Sequence, residues 1–372
     1  MRPTILALAT ALSIASGAAT SNTAAAQATR AYREGPVVAV SYVRTKPGMF
    51  DRYTEYLNTA YKLAIAIQPS AAQNPPTRQT TGQVVLKYMG AAGWEISDGT
   101  TVILIDPYLS RINGPQPPGN PYPLTSGDTR PVYAWDDIAV PDTVAIDSHI
   151  QRADFILVTH THYDHDLDVP HIALKTRATV IGTESTENVM RAYHVPEGQL
   201  ITVRGGEDYE FGAFSLRVIP SIHSALDHKH YFSSERAPSG MKAPLTLRQM
   251  HPEGGTLAYL IRFQGHQILA FGGMNYIERE IEGLRPDVVL VGAGASRREI
   301  HDYTGRLMRD LNFPALVLPT HWDNLLAPYG ATQQPAIDAL QSFVQEVRVV
   351  SPKTKVIVPK YFESISLEAA VK

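Results

Sequence analysis

The 372-residue sequence contains no cysteine. Disulfides are therefore excluded, and thiolate drops out of the possible nucleophiles and metal ligands. Charge of one sign is also missing: 33 Lys and Arg stand against 36 Asp and Glu, scattered along the chain. There is no basic patch to argue for nucleic acid and no acidic tail. No segment beyond the N-terminus approaches the ~20 apolar residues of a membrane helix, so no integral membrane segment is expected. A G-x-S-x-G elbow is absent, which argues against a covalent serine mechanism. The one glycine-rich run, Gly292 to Ser296 (GAGAS), lacks the G-x-G-x-x-G and G-K-[ST] patterns and is better explained by close strand-helix packing than by phosphate binding. With thiolate and serine set aside, histidine and carboxylate are left to carry any chemistry.

What is present starts with 44% hydrophobic residues, enough to bury the core of one large domain with a smaller appendage. Residues 1–28 read as a secretory signal peptide: Arg2, an apolar run from Ile5 to Ala15, then Ala26, Gln27 and Ala28 as a cleavage-like ending. The expected location is therefore periplasmic or secreted. Residues 29–82 read as an N-terminal extension, with a strand over Pro36 to Val43, a helix over Gly48 to Ile67, and a Pro-rich linker up to a boundary near Gly82. Residues 83–372 read as the main domain. Short strands (VVLKYMG, GWEIS, TVILID) give way to a proline-rich loop, Gly114 to Pro131, too long for a mere connector. Strands and helices then alternate, with helices from about Val169, over Glu184 to Tyr193, a short one between QILAF and DVVLVG, one up to Asp310 and one from Pro335 to Val347, followed by a strand in KVIVP. The pattern predicts an α/β fold of two mixed sheets face to face with helices outside.

One stretch concentrates the titratable side chains. VTHTHYDHDLD, Val158 to Asp168, follows a buried-type strand and leads into a helix. Its H-x-H-x-D-H core is His160, His162, Asp164 and His165. Two imidazoles at i and i+2 on an extended strand end share one face, about 6 to 7 Å apart, close enough to grip one cation. Asp164 and His165, further round the turn, can face a second. Zinc is the natural guest for such imidazole-rich donors, as one or two ions per chain, although manganese or iron is compatible with the ligand types. One turn cannot complete two coordination spheres. His223, after LRVIPSI, and His321, after ALVLPT, are each the first histidine beyond an apolar strand and complete the set.

With these residues in hand, the chain from about Gln83 to Phe362 resembles the metallo-β-lactamase superfamily. The resemblance implies an αββα sandwich with metals at one edge, His160, His162 and His223 around the first and Asp164, His165 and His321 around the second. The segment YMGAAGWEISDGTTVILIDPYLS is similar to the branch of lactonase-like and N-acyl-phosphatidylethanolamine phospholipase D-like hydrolases. Asp106 within it would then support a ligand from behind, and it also fits a turn former ahead of Pro107. There is one departure. Where many members carry an aspartate bridging both metals, ILAFGGMNY places Met274, with Asn275 beside it. A thioether and an amide are poor substitutes, so no bridging carboxylate is expected and the second site should bind more weakly.

The expected chemistry is hydrolysis by a metal-activated hydroxide that Asp164 helps to aim. His230, or His228 beside it, is the candidate proton donor to the leaving group. A small molecule with an ester, lactone or amide bond, a β-lactam included, is the expected substrate. Phosphodiester hydrolysis and a non-catalytic metal-binding role are the alternatives, and nothing fixes the oligomeric state. The segment FSSERAPSGMKAPLTLRQMHPEGG suits an adjustable pocket cover. Asn324, in HWDN, reads as a helix N-cap, with orienting His321 or touching substrate as the roles otherwise open to it.

Overall fold

The computed structural model describes residues 83–115, 128–226, 229 and 235–371. The expected signal peptide, N-terminal extension and linker lie outside these residues.

The first sheet opens with β1 (Val85–Gly90), β2 (Gly93–Ser97) and β3 (Val102–Ile105), an antiparallel meander, and continues in parallel through β4 (Phe155–Leu157), β5 (Thr179–Gly182) and β6 (Leu200–Thr202). The second is built from β7 (Asp208–Glu210), β8 (Phe214–Ser221), β9 (Thr256–Phe263) and β10 (His266–Phe271) in antiparallel order. It is completed by parallel β11 (Val288–Gly292), β12 (Leu316–Thr320) and β13 (Lys355–Val356). A final strand, β14 (Ser364–Ser366), returns to pair with β1. Among the described residues each sheet has seven strands, in the orders 14-1-2-3-4-5-6 and 13-12-11-10-9-8-7.

Period-two alternation sorts the side chains of the first sheet onto two faces. Ile103, Leu157 and Ile181 pack with Leu216, Tyr259, Ile268 and Leu318 of the second sheet, forming the core between the layers. Leu104, Ile156 and Val180 face the other way, onto Ile172 and Met190. These last two belong to α3 (Val169–Thr176) and α4 (Glu184–Ala192), preceded by α1 (Thr143–His149) and the single turn α2 (Tyr163–Asp166). On the far side come α5 (Glu278–Ile281), α6 (Tyr303–Asp310) and α7 (Gln334–Val350), which places Leu340, Phe343 and Val347 on the second sheet. Strands β11 and β12 read as continuous apolar runs because both faces are covered. The result is the αββα sandwich of the metallo-β-lactamase fold.

The described elements depart from the expectation at several points, β14 among them, since no strand was expected beyond KVIVP. The strand in KVIVP shrinks to Lys355–Val356, and α7 runs on to Val350. Helix α1 was not foreseen: it buries only Ile146 and so carries no apolar period, and it is fixed instead by the Asp142 carboxylate accepting from the Ala145 N–H at 3.0 Å.

Candidate metal centre

Strand ends of both sheets converge on one edge. β4 stops at Leu157, the chain bends at Thr159, and His162 opens the single turn α2 carrying Asp164 and His165. β8 ends two residues before His223, and β12 ends immediately before His321. A glycine lets the two sheets meet here: a β-carbon on Gly272, just past β10, would collide with Thr159 Oγ1. Any larger residue would push the second sheet away from the strand that delivers His160.

Two sets of donors result. His160, His162 and His223 each offer a ligand atom, and these lie within 4.8 Å of one another; Asp164, His165 and His321 do the same. The sets adjoin, with the His160 and His165 ring centroids 3.8 Å apart. Five of the six residues are buried, His321 being half-buried. The Nε2 atoms of His160 and His162 are buried with no hydrogen-bond partner. An unpartnered buried acceptor costs about 1–3 kcal/mol, and a cation is what such a pair of nitrogens would satisfy. By this observation the residues fit a divalent metal.

The electrostatics differ between the sets. Burial, and then the neighbouring imidazoles, hold His160 and His162 well below the ordinary histidine range. Burial brings His223 down to about 4. All three rings are therefore neutral at pH 7, with lone pairs available. His223 Nδ1 lies 3.0 Å from the Ser224 carbonyl, which assigns the proton to Nδ1 and leaves Nε2 as the donor atom. In the other set burial opposes the charged forms, but the groups themselves outweigh it. Asp164 and Asp106 raise His165 to about 10, while His165 and His321 keep Asp164 well below the usual carboxylate range.

Asp106 fills both of the roles the sequence allows. It sits in the left-handed region at φ 41° just after β3. Its Oδ1 accepts from the Thr159 N–H (2.7 Å), and its Oδ2 faces Thr159 Oγ1 (2.6 Å) and His165 Nδ1 (2.8 Å), fixing the ring so that Nε2 turns to the cluster. Asn324 is a correction. No helix starts behind it; its Oδ1 accepts from Leu326 N–H at 3.3 Å, a local turn, and the next helix begins ten residues later. Met274 stands at the position expected for a bridging carboxylate. A β-carbon on Gly292 would collide first with the Gly273 carbonyl and then with the Met274 sulfur, and one on Gly294 would crowd the His321 carbonyl and the Met274 side chain, so backbone approach accounts for the glycines of GAGAS. Asn275 Nδ2 donates to the His223 carbonyl (3.2 Å) and so steadies the third histidine. His228 and His230, the candidate proton donors, lie outside the described residues.

The sequence reading missed His251. Its ring stacks on His162 (4.3 Å between centroids, 12° between planes) and against Trp135 (4.6 Å). These two residues come from loops zipped together by backbone hydrogen bonds: Ala139 N–H to Leu245 O (2.9 Å), Leu247 N–H to Asp137 O (3.0 Å) and Arg248 N–H to Trp135 O (2.8 Å). No spacing rule could have linked them, because the pairing spans about a hundred residues of irregular chain.

Comparison with known proteins follows the same lines. The family described as β-lactamase superfamily domain matches residues 85–321, and the chain belongs to it. Among curated relatives, a UPF0173 metal-dependent hydrolase of Polynucleobacter asymbioticus is 25% identical over 264 residues, 68% of this chain and 79% of its own. One from Myxococcus xanthus is 24% identical over 292 residues, 78% of this chain and 86% of its own. Among solved structures, the metallo hydrolase Igni18 of Ignicoccus hospitalis superposes with a TM-score of 0.46 at 16% identity, covering 76% of this chain and 97% of that one. Within its superfamily the chain is a metal-dependent hydrolase.

Proposed function

We propose that the protein is an exported, zinc-dependent hydrolase that opens an ester, lactone or amide bond of a small molecule, with β-lactams among the candidates. The observation that carries this reading is the convergence of six donors, scattered from residue 160 to residue 321, into two adjoining triads. All-imidazole and imidazole-carboxylate donors without thiolate suit zinc, held by His160, His162 and His223 and by Asp164, His165 and His321. Zinc held there would supply a water made acidic enough to ionise near neutral pH and a Lewis acid for the oxygen of the group attacked. The protein's own residues do the rest. Asp164, kept ionised, accepts a hydrogen bond from the attacking water at its carboxylate and orients it. Asp106 holds the His165 ring, and Asn275 and Ser224 hold His223. Trp135 and His251 give the site a flat wall beside His162, suited to a planar group next to the scissile bond. His230 is the proposed proton donor to the leaving group. The β1–β3 segment is similar to a branch that holds both lactonase-like and phospholipase D-like hydrolases, which suits a carbonyl or a phosphodiester substrate, and the signal-like N-terminus supports export.

A second reading, phosphodiester hydrolysis, is favoured by the adjacency of the triads, since paired cations can stabilise both the attacking and leaving oxygens of phosphoryl transfer. The test is a chromogenic panel of esters, lactones, β-lactams and phosphodiesters with the zinc-loaded full chain. Chelator-sensitive turnover of a carbonyl substrate is expected. Turnover of phosphodiesters alone would transfer the conclusion to the second reading, and two bound zinc ions without any turnover would make the protein a metal binder.

A further inference from the structure

Behind His321 lies an ion pair with no place in the chemistry above. Arg111 Nη1 and Asp323 Oδ2 are 2.9 Å apart, and both side chains are essentially inaccessible to solvent (1% and 0%). Buried pairs of this kind are poor sources of stability, because desolvation cancels most of the attraction. Its partners are what set it apart. Asp323 Oδ1 accepts from the Ala91 N–H (3.0 Å) and the Tyr88 hydroxyl (2.9 Å), and Oδ2 accepts from the Tyr361 hydroxyl (2.7 Å). The Ala91 carbonyl in turn accepts from the His321 N–H (2.6 Å) and from Thr320 Oγ1 (3.1 Å). Residues 321 and 323 thus grip the same residue, Ala91, from its two ends.

Arg111 closes the grip from the other side. Its Nε donates to the Ala327 carbonyl (2.6 Å), its Nη2 to the Asn324 carbonyl, and its guanidinium lies over the rings of Tyr329 (4.8 Å) and Tyr361 (5.2 Å). The β1–β2 turn makes room for it: a β-carbon on Gly90, itself at φ 92°, would collide with Arg111 Nη1. The object of all this is a strained residue. His321 sits at φ 51°, a left-handed conformation that a non-glycine residue holds only where its surroundings over-determine it. Its Nε2 is then held 3.1 Å from Asp164 Oδ2. No hydrogen bond of Arg111 or Asp323 reaches His160, His162 or His223.

We propose that the Arg111–Asp323 pair is the positioning element for His321, setting the affinity of the second cation site while leaving the first untouched. It rests on the two-cation reading given above. It also explains how the second site can do without a bridging carboxylate: fixed geometry replaces the missing ligand.

The test is calorimetric titration of the metal-stripped full chain with zinc, together with metal analysis of the loaded protein. In Asp323→Asn, zinc binding at the second site should weaken by about tenfold or more, the scale on which supports behind a ligand act, with the first site within about twofold of wild type. Should the lone Arg111 charge prevent folding, Arg111→Met combined with Asp323→Asn removes both charges and should show the same selective loss. A folded variant that keeps both affinities, or loses both alike, overturns the proposal, as does failure of both variants to fold. A wild-type chain that takes up only one zinc overturns the two-cation reading instead.

Discussion

The two donor triads are built on opposite principles. His160, His162 and His223 are three neutral rings pressed together in a dry edge of the sandwich, and what steadies them is packing and backbone hydrogen bonds. In the other triad Asp164 and His321 are wetter, with side-chain exposures of 12% and 17%, and the buried His165 stands between the Asp164 and Asp106 carboxylates. What steadies them is a relay of carboxylates and one strained backbone. The lesson is that an uncharged pocket is specified by what surrounds it, whereas a charged one is specified by what stands directly behind each ligand.

The comparison can be broken most severely through the neutral triad. His162→Ala should cut hydrolysis by about a thousandfold, the scale of losing a principal electrostatic stabiliser, while the circular dichroism spectrum stays that of the wild type. Unchanged turnover would remove these residues from the chemistry. The charged triad should respond more gradually. Asp106→Ala frees the His165 ring and should weaken zinc uptake at the second site about 10- to 100-fold, read by titration, with the first site retained. Smaller still is the effect expected of Trp135→Ala: KM for an aryl-bearing ester should rise about fivefold, equivalent to ~1 kcal/mol of lost stacking, while KM for its methyl counterpart stays put.

The last prediction sharpens the contrast between burial with and without a partner. The Glu187 carboxyl, in the first turn of α4, is buried with neither oxygen hydrogen-bonded, and burial raises it to about 8 against the ordinary 4.5. Because the folded-state value is the higher one, the stability that the neutral form contributes is complete below about 4.5 and is lost as pH rises through about 8. Glu187→Gln does not ionise. The Tm difference between variant and wild type should therefore grow in the variant's favour across that window by about 2–4 °C for each kcal/mol, and level off above it. A difference that stays constant with pH would refute this assignment.

Much of this could be read from the residues alone. Apolar runs such as TLAYLIRF and DVVLVG are strands under any packing, and H-x-H-x-D-H has few other uses at a strand end. The first histidine beyond each of two apolar strands, His223 and His321, was legible as a candidate, and both strands finish at the same edge. Other features were hidden for a physical reason. Trp135 meets His251, and Arg111 meets Asp323, only after irregular loops have folded across the sheets. Asn324 was misread because a polar residue after a strand looks alike whether a helix or a turn follows.

The close meeting of the two sheets at Gly272 carries one more consequence. Four of the six donors belong to the first half of the sandwich, and His223 and His321 belong to the second. A bound ion is therefore tied to both halves at once, as a clasp joins two leaves. In a chain with no sulfur crosslinks, metal occupancy itself becomes the fastener that opposes their separation, worth ~4 kcal/mol at a thousandfold excess over Kd.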